Sequence, residues 1–80
     1  MEFRALKYFL TVAQEENITK AAQILHVTQP TLSRQMMNLE EELGVALFRR
    51  GRYQTVLTEE GVIFRQRAQE IVSLVEKTGR

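Results

Sequence analysis

Side chains able to bind a charged, hydrogen-bonding partner are concentrated between positions 28 and 39. This segment holds one positive charge, Arg34, and no acidic residue. Its residues with hydrogen-bonding side chains are Thr28, Gln29, Thr31, Ser33, Arg34, Gln35 and Asn38, and Pro30 lies among them. Guanidinium, amide and hydroxyl groups bind phosphate oxygens and the edges of nucleic-acid bases. The segment is therefore the first candidate binding surface of the chain.

A second cluster of charge follows. Arg49, Arg50 and Arg52 fall within four positions, next to Gly51 and Tyr53. Runs of like charge are most often solvated surface. Here the arginines follow an apolar pair and surround a glycine, a pattern typical of a tight turn. We interpret the turn as a basic projection that presents Arg50, Arg52 and Tyr53 to nucleic acid.

The composition excludes most catalytic chemistry. The 80 residues include one histidine, two serines, no cysteine and no aspartate, and His26 has no second metal ligand at a suitable spacing. We therefore expect a protein that is not an enzyme and needs no cofactor or metal. The longest apolar run, residues 45–48, has four residues, whereas a membrane-spanning helix needs roughly 20. This favours a soluble, cytoplasmic protein with no membrane partner.

Three helices are predicted in the first half of the chain. Apolar residues three and four positions apart indicate a helix over residues 2–16, and Thr19 is suited to cap a short helix over 20–25. A third helix begins at Gln29 and Pro30, because proline is tolerated in a first helical turn. It ends at Gly44, the residue type that most readily takes the left-handed conformation.

The sequence of the second half of the chain predicts a hairpin and a long helix. Two short strands, residues 47–50 and 55–57, flank the turn that begins at Gly51. Thr58 can cap a fourth helix over 59–78. The expected fold is mainly α: a winged helix-turn-helix of three helices and a two-stranded wing, followed by a long linker helix.

Projection of the third helix separates a buried side from an exposed one. The apolar stripe is formed by Leu32, Met36, Leu39 and Leu43. The opposite side is centred on Pro30, Arg34, Asn38 and Glu41, with Met37 beside it. The acidic run at 40–42 would repel phosphates, so we expect only the N-terminal half of the helix to enter a groove. The run is equally well interpreted as a solvated helix end.

The fourth helix carries more apolar surface than one small domain can cover. Its coiled-coil-like seam and the neighbouring positions include Phe64, Ala68, Ile71, Val72 and Val75. These residues form either intramolecular core or an interface with a second copy, and we favour the dimer.

Several short motifs together resemble the N-terminal DNA-binding domain of LysR-type transcriptional regulators. They are Ala21, Ala22 and Leu25 to Ser33, then Leu39, Glu40, Leu43, Gly44, Leu47, Phe48, Arg50, Leu57, Thr58 and Gly61. The resemblance implies a DNA-binding domain over residues 1–58 and a dimerising linker helix over 59–78. It also implies a C-terminal domain, absent from this chain, that binds a small-molecule effector. The full-length regulator would form dimers and, in some cases, tetramers.

The resemblance assigns the third helix to the major groove of double-stranded DNA and Arg50 to the backbone. The wing tip departs from the family: where members often have glycine followed by arginine, this chain has Arg52 followed by Tyr53, and its glycine, Gly51, lies one position earlier. Which wing residue enters the minor groove is therefore open. The leading hypothesis is a homodimeric, nucleoid-associated transcriptional regulator in the cytoplasm. The alternative is a winged-helix module that dimerises and binds protein instead of DNA.

Overall fold

The computed structural model describes residues 1–79. It contains four helices and one two-stranded antiparallel sheet. They are α1 (Phe3–Glu15), α2 (Ile18–Leu25), α3 (Gln29–Leu43), β1 (Phe48–Arg50), β2 (Thr55–Leu57) and α4 (Glu59–Thr78). The predicted winged helix-turn-helix with a long final helix is confirmed. No helix in residues 1–79 combines the length and apolar character needed to cross a membrane.

Phe9 of α1 lies at the centre of the core. Its ring lies 5.3 Å from that of Phe48 on β1 and 5.0 Å, edge-on, from that of Phe64 on α4. Aromatic pairs at these separations stabilise beyond the burial of their area. One side chain of α1 thus joins the sheet to the last helix and fixes the base on which the other elements rest.

Helix α2 begins earlier than the sequence predicted. Its N-cap is Asn17, whose side-chain oxygen accepts a hydrogen bond from the backbone N–H of Lys20 at 2.8 Å. The assignment of Thr19 as the cap is wrong, because Thr19 lies inside the first helical turn. Asparagine and threonine are both good caps, and the tight turn after α1, where Glu16 takes a left-handed φ of 54°, brings Asn17 into position first.

Helix α3 has the boundaries that its sequence predicts. The hydroxyl of Thr28 accepts a hydrogen bond from the backbone N–H of Thr31, Pro30 lies in the first turn, and Gly44 ends the helix with a φ of 73°. Its inner side is held by apolar packing, since Leu32, Met36 and Leu39 are almost completely buried. The helix is therefore fixed along most of its length.

The wing, residues 48–57, is a short hairpin in which Phe48 pairs with Leu57 and Arg50 with Thr55. The backbone N–H of Gly51 donates to the carbonyl of Gln54 at 2.8 Å and closes the turn. A hairpin of this size is marginal alone. It is attached to the end of α1, where the N–H of Thr55 donates to the carbonyl oxygen of Glu16 at 2.9 Å.

The first turn of α4 is joined to the segment that connects α3 to the wing. The Thr58 hydroxyl accepts from the N–H of Gly61 at 3.0 Å and donates to the carbonyl of Ala46 at 2.7 Å. A side chain at position 61 would collide with the carbonyl oxygen of Leu47, so glycine is needed there for close approach.

Some apolar residues of the α4 seam lie in the core, and others are exposed. Ala68 is fully buried by its own chain, so its assignment to a dimer interface is wrong. Phe64 and Val72 pack partly against the same core. Packing of the first half of α4 on α1 produces this burial, which helical spacing alone does not reveal. The apolar side chains of α4 that remain exposed are Val62, Ile63, Ile71, Leu74 and Val75.

Candidate nucleic-acid interface

The outward side of α3 carries the residues that the sequence singled out. Pro30, Thr31, Arg34, Gln35 and Asn38 are all exposed, and Ser33 is half-buried. Arg34 forms no ion pair with any other residue in the range 1–79. A guanidinium on an exposed helix face, held from behind by packed apolar residues, can donate two parallel hydrogen bonds to one planar acceptor.

The first turn of α3 is organised by hydrogen bonds between its own side chains. The Thr28 hydroxyl donates to that of Thr31 at 2.8 Å, and the Gln29 amide nitrogen donates to the Ser33 hydroxyl at 2.8 Å. These contacts restrict the rotamers of all four side chains. Less conformational entropy is then lost when a ligand binds them. The turn is a pre-ordered set of donors and acceptors at the positive end of the helix.

Glu40, which the sequence analysis named only within the family motif and the acidic run, has a positioning role that was not predicted. Its Oε2 accepts from the backbone N–H groups of Leu47 at 2.7 Å and Phe48 at 3.2 Å, and its Oε1 accepts from the Nη2 of Arg50 at 3.1 Å. One carboxylate of α3 therefore fixes the start of β1 and an arginine of the wing. In the sequence, the only indication of this contact is that Glu40 lies seven positions before the apolar pair Leu47 and Phe48.

Arg50 therefore already has a partner within the chain. Its guanidinium is paired with Glu40 and lies 5.9 Å from the ring centre of Phe48. The pair lowers the charge that Arg50 offers to a phosphate, although part of the side chain remains exposed. The backbone contact predicted for Arg50 stays a prediction.

The wing tip places a cation on an aromatic ring. The guanidinium of Arg52 lies 5.3 Å from the ring centre of Tyr53, and Tyr53 is 81% exposed. Stacking orders the arginine without neutralising it. Arg49, whose neighbours Phe48 and Arg50 point to the other face of the strand, is exposed as well.

The three residues of the acidic run have different surroundings. Glu40 binds the wing, and Glu42 pairs with the N-terminal amine of Met1 at 2.6 Å. Glu41 is exposed on the outer side of α3. The interpretation as a solvated helix end therefore holds for Glu41 alone. Its charge marks the end of α3 that is least compatible with phosphates.

The polar side-chain atoms of residues 1–79 are either exposed or hydrogen-bonded. Within the described part of the chain, no three His, Cys, Asp or Glu side chains come together as a metal site. Each buried side-chain nitrogen or oxygen of residues 1–79 has a hydrogen-bond partner. The cations that form no ion pair within the described residues include Arg34 on α3 and Arg52 on the wing.

Comparison with known proteins identifies relatives over the whole described fold. The family model of the bacterial regulatory helix-turn-helix proteins, lysR family, matches residues 3–62. The transcriptional regulator BsdA of Bacillus subtilis is 53% identical over 77 residues, which are 95% of this chain and 27% of BsdA. BenM of Acinetobacter baylyi is 48% identical over 77 residues, 96% of this chain and 25% of BenM. The chain thus spans about a quarter of the curated relatives it matches.

Solved structures agree with this result. A crystal structure of a complex between the CbnR DNA-binding domain and DNA superposes with a TM-score of 0.96 at 46% identity, covering 99% of this chain and 91% of that one. The BenM DNA-binding domain with its catB site 1 DNA gives 0.93 at 47% identity, covering 98% and 84%. Both similar domains were crystallised on DNA.

Proposed function

Because the chain belongs to the lysR family of bacterial regulatory helix-turn-helix proteins, we propose that it binds double-stranded DNA sequence-specifically as part of a transcriptional regulator. One observation carries the proposal: α3 exposes Arg34 and a pre-ordered first turn on a side that holds no acid before Glu41. Similarity to the DNA-bound CbnR and BenM domains supports it. The wing beside α3 supplies further cations.

The sizes of helix and groove support a role for α3 in the major groove. A helix with side chains is about 10–12 Å wide, and the major groove is about 12 Å wide. We assign Arg34 and Gln29 to base edges, and Thr31 to the backbone. Glu41 tilts the C-terminal end of α3 away from the phosphates. The remaining residues assigned to DNA contacts are Thr28, Pro30, Ser33, Gln35 and Asn38 on α3, and Arg50, Arg52 and Tyr53 on the wing.

We propose a homodimer formed through α4. Exposed Ile71 and Val75, with part of Phe64 and Val72, provide apolar surface that a second copy would cover, and Leu74 extends it. A twofold dimer would place one α3 on each half-site, about 34 Å apart. Effector binding and, in some cases, tetramer formation would belong to a C-terminal domain of the full-length regulator, as the family resemblance implies. The regulator would act in the cytoplasm, on nucleoid DNA.

The test begins with selection of bound duplexes from a random library, followed by anisotropy titrations at several salt concentrations. We expect inverted half-sites to be enriched. We expect Arg34→Ala to lower discrimination at one base pair by about 1–3 kcal/mol. Arg65→Ala, which removes the same charge from an exposed position on α4, is the matched control and should leave discrimination unchanged. Arg52→Ala should weaken binding to every duplex and lower the salt slope by roughly one.

Two results would contradict the proposal. Absence of enrichment and of salt-dependent binding would support the alternative, a winged-helix module that binds protein. Equal losses on selected and scrambled duplexes for Arg34→Ala would remove the assigned role of α3 in reading sequence.

A further inference from the structure

Met37 is an apolar side chain on the otherwise polar outer side of α3. It is 56% exposed, whereas the adjacent Met36 is fully buried in the core. Met37 follows Arg34 by three positions and Pro30 by seven, so the three side chains lie along one side of the helix. A large apolar group that the chain leaves in solvent at this place is available to a partner.

The charged residues before and after Met37 on this side of α3 limit the kind of partner that it can contact. The side chain lies between Arg34, which attracts a nucleic acid, and Glu41, which repels one. It is thus the last apolar residue along this side of α3 before the acidic end. A contact at this position must be apolar and must lie next to the target of Arg34.

One group in the major groove has this character. The 5-methyl of thymine is the apolar group displayed there, and the other groups are hydrogen-bond donors and acceptors. Methionine is unbranched and flexible, which allows it to reach a methyl group across an irregular surface. Resting on the proposed function, we propose that Met37 contacts the 5-methyl group of a thymine adjacent to the base pair bound by Arg34. Met37 thereby selects A·T at that position.

The alternative partner is a protein. Val45 and Ala46, in the segment after α3, are also exposed, and together with Met37 they line a shallow recess. This recess lies toward Glu41 and Gly44. The DNA interpretation is favoured because Met37 shares its side of α3 with Arg34, and the protein interpretation is the contrary outcome of the test.

The experiment uses the duplex selected above, with each thymine replaced in turn by deoxyuridine, which removes only the methyl group. For the unmodified protein we expect one position per half-site at which affinity falls about fourfold, the equivalent of ~0.8 kcal/mol for one buried methyl group. Met37→Ala should bind the thymine and uracil duplexes equally. Ile24→Ala, which truncates an exposed isoleucine on α2, is the control and should keep the fourfold preference.

The outcomes separate the two proposals. Salt-dependent binding to the selected duplex without sensitivity to any methyl group overturns the role of Met37 and leaves the proposed function standing. A methyl preference that persists in Met37→Ala also overturns it, because another residue then reads the methyl. If no duplex binds, both proposals fail. Met37→Ala should unfold at the temperature of the unmodified protein, since Met37 is outside the core.

Discussion

Helix α3 and the wing are the two candidate DNA-contacting regions, and they are held by different forces. Three almost fully buried apolar residues, Leu32, Met36 and Leu39, fix α3 from behind. The wing buries only Phe48 and Thr55 of its ten residues. Leu57 packs partly against the core, and the other attachments of the wing are polar, through the Glu40 carboxylate and the Glu16 carbonyl.

The two kinds of attachment hold α3 and the wing with different rigidity. Burial of apolar area is insensitive to salt and holds α3 in one position. Partly exposed hydrogen bonds and ion pairs are weaker and respond to salt and to competing groups. We infer that α3 supplies a fixed reading surface, whereas the wing can adapt to the backbone it meets.

The largest expected effect is on the core side of α3. Met36→Ala should lower the free energy of unfolding by about 2–5 kcal/mol, because it removes a fully buried side chain and leaves a cavity. Met37→Ala is the matched control and should change it by less than about 0.5 kcal/mol. Urea denaturation followed by circular dichroism measures both. Similar losses for the two variants would contradict the apolar support of α3.

The next effect concerns the joint between α3 and the wing. Glu40→Ala should cost about 1–3 kcal/mol, because the backbone N–H groups of Leu47 and Phe48 lose their acceptor. Their amide hydrogen exchange should accelerate more than that of Leu32 and Leu39. Glu41→Ala is the control, with exchange expected to be unchanged. Unaltered protection at Leu47 in Glu40→Ala would show that the wing does not depend on this carboxylate.

A smaller effect is expected at the joint between the wing and α4. Thr58→Ala should lower the free energy of unfolding by about 1 kcal/mol, the usual loss for a threonine N-cap. Thr58→Ser keeps the hydroxyl and should restore most of it. Urea denaturation of the two variants makes the comparison. Equal destabilisation by Ala and Ser would mean that the methyl group matters and the hydroxyl does not.

The smallest effect is at the surface ion pair. Arg50→Gln should lower stability by less than about 1 kcal/mol, because the pair with Glu40 is partly exposed. The difference from the unmodified protein should shrink between about 0.05 M and about 0.5 M salt, since screening weakens such pairs. Thermal unfolding at both salt concentrations measures it. A difference independent of salt would indicate a packing role for the Arg50 stem against Phe48.

Local signals made α3 predictable from the sequence. Pro30 near the start, Gly44 at the end and the apolar stripe between them act within one helix, so spacing alone defines the boundaries and separates Met36 from Met37. The strands and the capping role of Thr58 were predictable for the same reason.

Other features depend on how distant segments meet. Glu40 looks like part of an acidic run until the chain reverses after Gly44 and brings the amides of Leu47 and Phe48 to it. Ala68 fits a coiled-coil seam equally well whether it packs on its own chain or on a second one. The choice between Asn17 and Thr19 as a cap was set by the turn at the end of α1, which the residue types alone do not specify.

The first part of α4 is packed on the core and its last part is not, so the two parts respond differently to an applied force. The first turn is held by Thr58 and Gly61, Ala68 is fully buried, and Val72 is the last side chain that packs against the core, so the following six residues to Thr78 project as a stiff extension of about 9 Å. A rotation of about 10° at Val72 moves the tip of this extension by roughly 1.5 Å. Conversely, a load applied near Leu74 is borne first by the packing of α4 on α1. It therefore reaches the wing and α3 through α1, against which both of them pack.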